Sequence, residues 1–325
     1  MQPGKTPSAP ELQVKLANLA PLDVVCKLGQ GYHSEVYLAK HRTSKRLVVC
    51  KLIKQSTLEL AEQLRLECQL RQLLHHNDPT HYSACEMQEN ADVPYLIWNY
   101  IPATPLSGLI PLSTDHPIAR TLHWLAEASR AMKNLHDLGW SHGDISPANL
   151  LVCSTNDLAD DIVLCDFSLT YRTCQPPTGR VRGTPLTLPP EVAQGQFSGP
   201  ASDVYSLACI AYYLLTGRFP HQGNSSIEIC WKQIHIAPQP LNPQMTNCKD
   251  FPHSISEIIM QSLAKIPADR ATLNDWLAAL AAWQPEKSWH RYDACKWWQT
   301  NLNLLPENQA SLAYPLSNPL ANPEL

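Results

Sequence analysis

The spacing of the apolar residues changes once along this chain, near Pro102, and that change limits which folds the chain can form. Before Pro102, short β-branched runs separated by turn residues predict strands, as in DVVCKL, EVYLAKH, RLVVCKLI and PYLIWNY. After Pro102 the period is helical, and the uniformly apolar segment SDVYSLACIAYYLLTG indicates a buried helix. The pattern therefore predicts a strand-rich first part and a larger, helix-rich second part.

One helix is predicted to interrupt the strand-rich part, over residues 56–76. Ser56 is its N-cap candidate. In the second part, residues 119–139 form an amphipathic pattern that ends at Gly139, a residue type that commonly terminates helices. Further helices are predicted for SISEIIMQSLAK, TLNDWLAALAAW and SWHRYDACKWWQTNLNLL. The leucines expected on the apolar stripe of the first helix are Leu58, Leu66, Leu70 and Leu73.

The composition changes at both ends of the chain. Residues 1–20 are rich in Pro, Ser and polar groups, which predicts a flexible N-terminal arm. From Gln284 onward Pro, Asn and Trp increase, and residues 284–325 are interpreted as a C-terminal extension. A tryptophan cluster there could cover the helix-rich part or bind a partner, and internal packing is favoured because exposed Trp clusters are costly. The cluster comprises Trp283, Trp289, Trp297 and Trp298.

Charge and cysteine usage restrict the class of protein. The formal net charge of -4 over 325 residues gives no reason to expect nucleic acid as a partner. The 11 cysteines are scattered singly, without a C-x-x-C pair, which favours reduced thiols over a disulfide framework or a zinc site. No signal-peptide pattern opens the sequence, and the longest apolar run, LACIAYYLL, is too short to span a bilayer. We therefore expect a soluble, cytoplasmic protein without a membrane span.

A glycine-containing loop, LGQGYHSEVY, lies between two predicted strands. This position argues against a dinucleotide-binding turn, which leads from a strand into a helix. Gly29 and Gly31 permit the backbone to approach phosphate oxygens closely, and Ser34 stands where a third glycine is often found. Taken alone, an ordinary hairpin loop is the more frequent meaning of such a segment.

Lys51 lies within the apolar run VVCKLI, where a lysine is costly unless it is paired. Glu62 and Glu67, both in the helix that follows, are the candidate partners. Each residue taken alone is also compatible with a solvated surface position.

The segment HGDISPANLLV, residues 142–152, contains Asp144 and, five residues later, Asn149. Further along, the buried strand pattern IVL ends near Asp166. The intervening segment is hairpin-like, which would bring Asn149 and Asp166 together. Two oxygen ligands beside a phosphate-binding loop are what Mg²⁺ requires.

Taken in order, these motifs resemble the protein kinase family. The downstream chain agrees: GTPLTLPPE, residues 183–191, is similar to the family's G-T-P-x-Y-x-A-P-E, SDVYSL carries Asp203, and PADRAT carries Arg270. The resemblance covers roughly residues 22–283 and is nearest to the eukaryotic-like (Hanks-type) Ser/Thr kinases of bacteria.

The resemblance implies an α+β, two-lobed fold. Residues 21–101 would form a small antiparallel β lobe with one helix, and residues 102–283 a larger, mainly helical lobe. The arm and the C-terminal extension would flank these two lobes.

The resemblance also implies ATP and Mg²⁺ as cofactors, with Mn²⁺ as a further candidate. Lys51 would hold the α- and β-phosphates, and Glu67, whose distance from His75–His76 suits the family's helix-to-strand connection, would orient Lys51. Asp144 would accept the hydrogen bond of the substrate hydroxyl. Asn149 and Asp166 would hold the metal.

The adenine would lie between apolar side chains of both lobes, with backbone bonds from Asn99 and Ile101 and with Trp98 closing the rear of the pocket. Asp203 would tie down the catalytic loop, and Glu191 would pair with Arg270. The apolar side chains implied are Leu28, Val36 and Val49 above the ring and Leu151 below it.

Three positions depart from the family pattern. Gly143 replaces an Arg that usually receives a phosphate carried by the activation loop. Ser146 stands where Ser/Thr kinases carry a Lys near the γ-phosphate, and Ser168 replaces the Gly of D-F-G. None of the three changes removes a metal ligand or the base.

The function expected is phosphoryl transfer from ATP to protein Ser/Thr hydroxyls, with autophosphorylation a further possibility. Thr184 favours Ser/Thr over Tyr as the acceptor. Two alternatives stay open. A pseudokinase would bind ATP or a partner without turnover, although Lys51, Asp144, Asn149 and Asp166 are all retained. A small-molecule kinase of the aminoglycoside or choline type also uses H-G-D-x4-N, but GTPLTLPPE and PADRAT do not belong to that class.

Overall fold

The computed structural model of the protein describes most of the chain between residues 22 and 301. The predicted arm, residues 1–20, and residues 302–325 of the predicted extension lie outside the described part. The described residues are 22–31, 33–54, 57–89, 94–109, 117–155, 157–175, 181–196, 199–241, 252–283 and 288–301.

A five-stranded antiparallel sheet forms the small lobe. Tyr37, Cys50 and Leu96 are each fully buried in the core of this lobe, together with Leu60 and Leu64 of one helix. The β-branched and aromatic residues that predicted strands therefore form one side of a separate small core. The strands are β1 (Leu22–Gln30), β2 (Ser34–His41), β3 (Leu47–Ile53), β4 (Cys85–Gln88) and β5 (Tyr95–Asn99). Their order in the sheet is β1-β2-β3-β5-β4.

Helix α1 (Leu58–Asn77) lies between β3 and β4, but its cap and its buried face differ from those predicted. Thr57 is the N-cap and accepts a hydrogen bond from the Leu60 amide, at 3.3 Å, whereas the predicted cap, Ser56, lies outside the described residues. The predicted stripe is wrong, because Leu70 is its only buried member. The other three are 86%, 44% and 40% exposed, in the order Leu58, Leu66 and Leu73.

The face of α1 that packs inward contains charged side chains. Leu60, Leu64 and Leu74 are buried there together with Glu67 and Arg71. A buried face that mixes leucines with two charges has a weak apolar period, so the exposed leucines gave the stronger pattern.

The large lobe is built around α5 (Pro200–Thr216), which is buried on nearly all sides, as its apolar sequence predicted. Pro200 opens the helix, and Gly217, at φ 73°, ends it. The helix predicted over residues 119–139 is confirmed as α3 (Ile118–Asp137). The remaining helices are α2 (Leu106–Leu109), α4 (Pro190–Ala193), α6 (Ser226–His235), α7 (His253–Ser262), α8 (Leu273–Ala282) and α9 (Arg291–Thr300).

Several short strands follow the small-lobe sheet and lie next to the loops beneath it. Strand β5 ends at Asn99, and β6 (Ala103–Pro105) begins the second sheet. The strands that follow are β7 (Trp140–Ser141), β8 (Leu150–Cys153), β9 (Ile162–Leu164) and β10 (Tyr171–Arg172). The second sheet has the order β6-β8-β9, and β7 pairs with β10.

The α+β architecture predicted from the sequence, with an antiparallel small lobe and a helical large lobe, is confirmed. Among the described residues, no helix has the length and apolarity that a membrane crossing requires.

Helix α9 and the residues before it pack on the large lobe through tryptophans. Trp298 is 2% exposed, and the indole N–H groups of Trp289 and Trp298 donate to the two oxygens of Asp160, at 2.8 and 2.9 Å. Arg120 donates to the same carboxylate, at 2.6 and 2.7 Å, and its guanidinium lies 3.6 Å from the centre of the Trp297 ring. The tryptophan cluster thus packs internally, which was the favoured of the two interpretations.

Candidate active site

Lys51 lies in β3 and is buried, with its ammonium between two carboxylates. Its Nζ is 2.6 Å from Oε2 of Glu67 and 3.1 Å from Oδ1 of Asp166. Burial lowers the pKa of Lys51, but the two negative charges outweigh this and hold the pKa above its ordinary value. Glu62, the competing candidate, is exposed on the surface of the helix. The lysine therefore stays charged and points at the place where β9 ends.

Asp166 follows β9 and has a left-handed backbone, at φ 56°. Burial raises the pKa of its carboxyl, but the Lys51 charge and the hydrogen bonds of Lys51 and Ser168 outweigh burial and lower the pKa to about 2. The carboxylate is therefore ionised at neutral pH. Among the described non-glycine residues, only Lys45, Asp160 and Asp166 have positive φ, so the backbone of Ser168 does not require glycine.

The loop of residues 142–149 is held by Asp203 from helix α5. Its Oδ1 accepts from the Gly143 amide at 3.0 Å, and its Oδ2 accepts from the His142 amide at 2.8 Å. The ring of His136 adds a third contact, at 2.9 Å. Burial raises the pKa of Asp203, but His136 outweighs it, and the pKa is lowered. A charged carboxylate thus fixes the start of the loop.

His142 links this loop to the end of β9. Its Nε2 lies 3.0 Å from the Cys165 carbonyl, and its Nδ1 accepts from the Asp144 amide at 3.3 Å. These partners require the neutral tautomer with the proton on Nε2. The imidazole therefore joins the residue before Asp166 to Asp144 itself.

Gly143, which stands in place of the family's Arg, has φ 78°. A Cβ added there would lie 2.5 Å from the Leu169 carbonyl oxygen. The replacement of Arg by Gly therefore removes a phosphate-binding cation. The backbone at this position also leaves no room for a side chain.

Asp144 is held on both carboxylate oxygens. Thr184 donates to Oδ1 from its amide and its hydroxyl, at 2.9 and 2.8 Å. The Asn149 side-chain amide donates to Oδ2, at 3.1 Å, and to the Asp144 carbonyl, at 2.8 Å. Because the amide nitrogen is used in this way, the amide oxygen of Asn149 is the atom that could bind a metal. Ser146 is only 2% exposed, and its carbonyl accepts from the Asn149 amide at 3.0 Å.

The donor set fits a magnesium ion. Asp166 offers an ionised carboxylate and Asn149 a neutral amide oxygen, which are hard oxygen ligands. Mg²⁺ commonly takes one or two protein ligands and completes its shell with phosphate oxygens and water. In the part of the chain that the structure describes, no cluster of three or more His, Cys, Asp or Glu residues offers a competing site.

The glycine-containing loop joins β1 to β2, which is the strand-loop-strand position that the sequence predicted. The Gly31 amide donates to the Ser34 carbonyl at 2.9 Å. A Cβ at Gly29 would meet nothing within 4 Å, so the space beside this backbone is open. Lys54 donates to the Gly31 carbonyl at 2.8 Å and ties the loop to the end of β3.

The residues proposed to surround adenine lie on strands of the small-lobe sheet and on the connection, except Leu151, which lies in β8. Val36 is opposite Lys51 in the β2–β3 pair, and Val49 is opposite Trp98 in the β3–β5 pair. Val49 is buried and Asn99 exposed. Half-buried positions are occupied by Leu28, Val36, Trp98, Ile101 and Leu151.

Glu191 and Arg270 form a buried bidentate ion pair, with N–O distances of 2.7 and 2.6 Å. Ser202 donates to the same carboxylate at 2.8 Å. Burial raises the pKa of Glu191, but Arg270 outweighs it and lowers the pKa. The pair ties the segment that follows Thr184 to the large lobe.

A buried Lys51–Glu67 pair in the small lobe, its contact with Asp166 of the large lobe and a glycine-containing loop above them define a two-lobed, kinase-like fold. The chain matches the protein kinase domain family over residues 22–280 and belongs to that family.

Several curated relatives are bacterial Ser/Thr kinases. The chain is 29% identical over 252 residues to Serine/threonine-protein kinase PknA of Mycobacterium tuberculosis. The aligned residues make up 75% of this chain and 56% of PknA. It is 29% identical over 260 residues to Serine/threonine-protein kinase PknB of Mycolicibacterium smegmatis, covering 75% and 39%. A Corynebacterium efficiens protein, Serine/threonine-protein kinases drp72, is 30% identical over 269 residues, covering 78% and 49%. The chain therefore spans about half, or less, of the length of these relatives. The predicted resemblance to bacterial Hanks-type kinases is confirmed.

Proposed function

We propose that this chain is an ATP-dependent Ser/Thr protein kinase, and that its own hydroxyls are among its acceptors. The observation that carries the proposal is the convergence of Lys51, Glu67 and Asp166 beside Asp144 and Asn149. All five are present, hydrogen-bonded and drawn from both lobes. The names of the bacterial Ser/Thr kinase relatives give independent support.

The roles follow from the charges and contacts. Lys51, kept cationic by Glu67, binds the α- and β-phosphates of ATP. Asn149 and Asp166 would hold Mg²⁺, which when bound would neutralise charge on the phosphates. Asp144 accepts the hydrogen bond of the substrate hydroxyl and orients it toward the γ-phosphate. Thr184, bound to Asp144 in the structure, fixes the carboxylate for that role.

A protein acceptor is favoured over a small molecule by the segment after Asp166. Thr184, bonded to Asp144, and the buried Glu191–Arg270 pair hold this segment beside the site. A fixed segment of this kind offers a surface along which an extended peptide can lie.

We place the protein in the cytoplasm, without nucleic acid as a partner. The singly scattered cysteines support a reducing compartment, and the described ones are free thiols. The protein substrate is proposed as a class only, a Ser/Thr-containing polypeptide.

The test is incubation with radiolabelled ATP and Mg²⁺, alone and with a generic protein acceptor. Wild type should incorporate label that EDTA abolishes and that excess Mg²⁺ or Mn²⁺ restores. Asp166→Ala should lose incorporation by orders of magnitude, and Asp23→Ala, which removes an exposed carboxylate of β1, should not. Transfer that survived Asp166→Ala would contradict the metal assignment. Transfer to aminoglycosides or choline but not to proteins would support the small-molecule alternative.

The same assay examines Ser146, where a neutral group replaces a charged one. A neutral hydrogen bond is weaker than a charged one by about 1–2 kcal/mol. The enzyme with Ser146 should therefore be about tenfold slower than one with a Lys at this position, but not inactive. Ser146→Lys should raise or preserve the rate, and Asp144→Asn should nearly abolish it. If Asp144→Asn had the wild-type rate, the loop of residues 142–149 would have a structural role only, and the pseudokinase alternative would be supported.

A further inference from the structure

Asp161 is a buried carboxylate that none of the roles above uses, and three parts of the molecule meet at it. It lies in the turn that precedes β9, in the large lobe. Its Oδ2 is 3.1 Å from Nε2 of His81, in the connection between α1 and β4. The same oxygen is 3.3 Å from a guanidinium nitrogen of Arg291, the first residue of α9. The small lobe, the large lobe and α9 therefore share one carboxylate.

His81 joins the C-terminal end of α1 to this carboxylate. Asp78 is the C-cap of α1, and its side chain accepts from the His81 amide at 3.2 Å and lies 2.8 Å from Nδ1 of His81. A ring with a carboxylate at each nitrogen donates through both, which requires the imidazolium. The hydrogen bond with Asp161 raises the pKa of His81, burial lowers it by less, and Asp78 raises it further. A charged ring thus links the end of α1 to the large lobe.

The turn that carries Asp161 is held from its other side by α9 and the residues before it. Asp160, the neighbour of Asp161, is fully buried and has φ 66°, a conformation that a non-glycine residue keeps only where its surroundings hold it. Its carboxylate accepts from an arginine of α3 and from the indoles of Trp289 and Trp298. The side chain of Arg291 is 54% exposed, and exposed ion pairs are weak. The buried indole contacts therefore hold the turn more firmly than Arg291 does.

We propose that α9 is a positioning element for the proposed kinase site. By fixing the turn of residues 157–161, it holds Asp161 against His81, and through His81 it holds the end of α1, the helix that carries Glu67. The inference rests on the proposed function, because Glu67 belongs to that site. Trp289 and Arg291 follow the region that matches the kinase family, residues 22–280, so this support comes from outside that region.

The test measures kcat in full-length His81→Gln, Trp289→Phe and the matched control His253→Gln. Glutamine keeps a neutral donor without the charge, and phenylalanine keeps an aromatic ring without the indole donor. His253 is an exposed imidazole on α7 that pairs with Glu257 at the surface, so its replacement removes a similar pair away from the turn. At about pH 6.5, His81→Gln and Trp289→Phe should each lower kcat by about threefold or more, and the control should keep the wild-type value.

A double-mutant cycle separates positioning from general destabilisation. In a His81→Gln background, Trp289→Phe should lower kcat less than it does in wild type, because the link from the turn to α1 is already broken. Additive effects would overturn the proposal. Arg291→Glu takes the place of Trp289→Phe if that variant does not fold, because the half-exposed position tolerates the change and the new carboxylate repels Asp161.

The pH profile is a readout that a merely structural role would not change. Charged groups face His81 from its own connection, at Asp78, from the turn, at Asp161, and beyond Asp161 from α9, at Arg291. Because the folded-state pKa of His81 is raised, the link is complete below about pH 6.5 and is lost as the pH rises through that pKa. The ratio of kcat in wild type to kcat in His81→Gln should therefore fall toward one between about pH 6 and pH 9. A constant ratio would overturn the proposal.

Hydrogen exchange of α1 distinguishes this proposal from the proposed function. Amides at the C-terminal end of α1 should exchange faster in Trp289→Phe and in His81→Gln than in wild type or in His253→Gln. If wild type transferred no phosphate but exchange followed this pattern, the proposed function would fail and the link from α9 to α1 would stand. If Trp289→Phe and Arg291→Glu both matched wild type in kcat and in exchange, the link would fail and the proposed function would stand.

Discussion

Gly143 shows how a single residue can be constrained by its backbone. Its positive φ is one restriction, and the distance of 2.5 Å that would separate a Cβ from the Leu169 carbonyl oxygen is a second, independent one. Gly139 has a similar φ, 81°, but a Cβ there would meet nothing within 4 Å. The two glycines therefore allow the cost of the backbone conformation to be separated from the cost of the contact.

We expect Gly139→Ala to lower the free energy of unfolding by about 1–2 kcal/mol, the cost of a left-handed alanine. Gly143→Ala should lower it by a further 1–3 kcal/mol, roughly, because the backbone must also shift. Urea unfolding measures both, and only Gly143→Ala should also slow phosphoryl transfer, since its neighbour is Asp144. Equal losses of stability would show that the Leu169 contact yields easily.

Asp166 should make stability depend on pH in the acid range. Its folded-state pKa of about 2 is below the ordinary value, so its ion pair with Lys51 stabilises the fold above the unfolded pKa, about 3.9. That stability should be lost as the pH falls from about 4 to about 2. Unfolding of wild type and Asp166→Asn, measured between pH 5 and 2, should show the steeper decline in wild type. Parallel curves would contradict the depressed pKa.

At the scale of elements, α9 binds the large lobe through a buried charged centre and not only through apolar area. Arg120 and Asp160 are both fully buried, and two indole N–H groups complete the hydrogen bonds of the carboxylate. Arg291, at the start of α9, also donates to the Asp157 carbonyl. Helix α9 thus covers polar groups that water would otherwise have to solvate.

We predict that Trp298→Phe destabilises the fold by about 1–3 kcal/mol, because it keeps most of the ring but leaves one Asp160 oxygen without its indole donor. Trp231→Phe is the control. Trp231 is 53% exposed on α6, so its replacement should change stability by less than about 0.5 kcal/mol. Thermal unfolding of the two variants measures the difference. Similar melting temperatures would show that the indole bonds to Asp160 contribute little.

At the scale of the whole molecule, the two lobes are joined by contacts that involve charged side chains. Lys51 from the small lobe meets Asp166 from the large one, and His81, after α1, lies 3.1 Å from Asp161. Glu67 and Asp166 raise the pKa of Lys51, and the hydrogen bond with Asp161 raises the pKa of His81. The assembled site is therefore a property of both lobes together.

We expect activity that does not depend on a phosphate in the segment between Asp166 and Glu191. The hydroxyls of Thr170 and Thr173 donate to the carbonyls of His142 and Gly139, at 3.2 and 3.1 Å, so both are already engaged. Thr178, a further hydroxyl that could accept a phosphate, and Arg180, a cation that could bind one, lie outside the described residues. Protein treated with a phosphatase that is then removed should transfer phosphate without a lag. A long lag that disappears after pre-incubation with ATP would show the opposite.

The sequence by itself determined the order of the chemical groups and the change from strands to helices. Lys51, Asp144, Asn149 and Asp166 could be picked out because each stands in a short motif whose residues are neighbours in the chain. Helix α5 was predictable for the same reason, since an apolar run on all faces can only be buried. Local pattern carries this information because it depends on residues a few positions apart.

Only the tertiary structure decided which side chains meet across the fold. The sequence pattern left the partner of Lys51 open between Glu62 and Glu67, and the structure shows that it is Glu67. Trp298 binds Asp160 over 138 positions, a separation at which no periodicity operates. Arg71 had a local signal, its spacing of four residues from Glu67, but its stacking on Trp98 and Phe167 requires β5 and the end of β9 to be in place. The predicted stripe of α1 was wrong for the same physical reason. A charged side chain can be buried once its partners are packed around it, and those partners come from elsewhere in the chain.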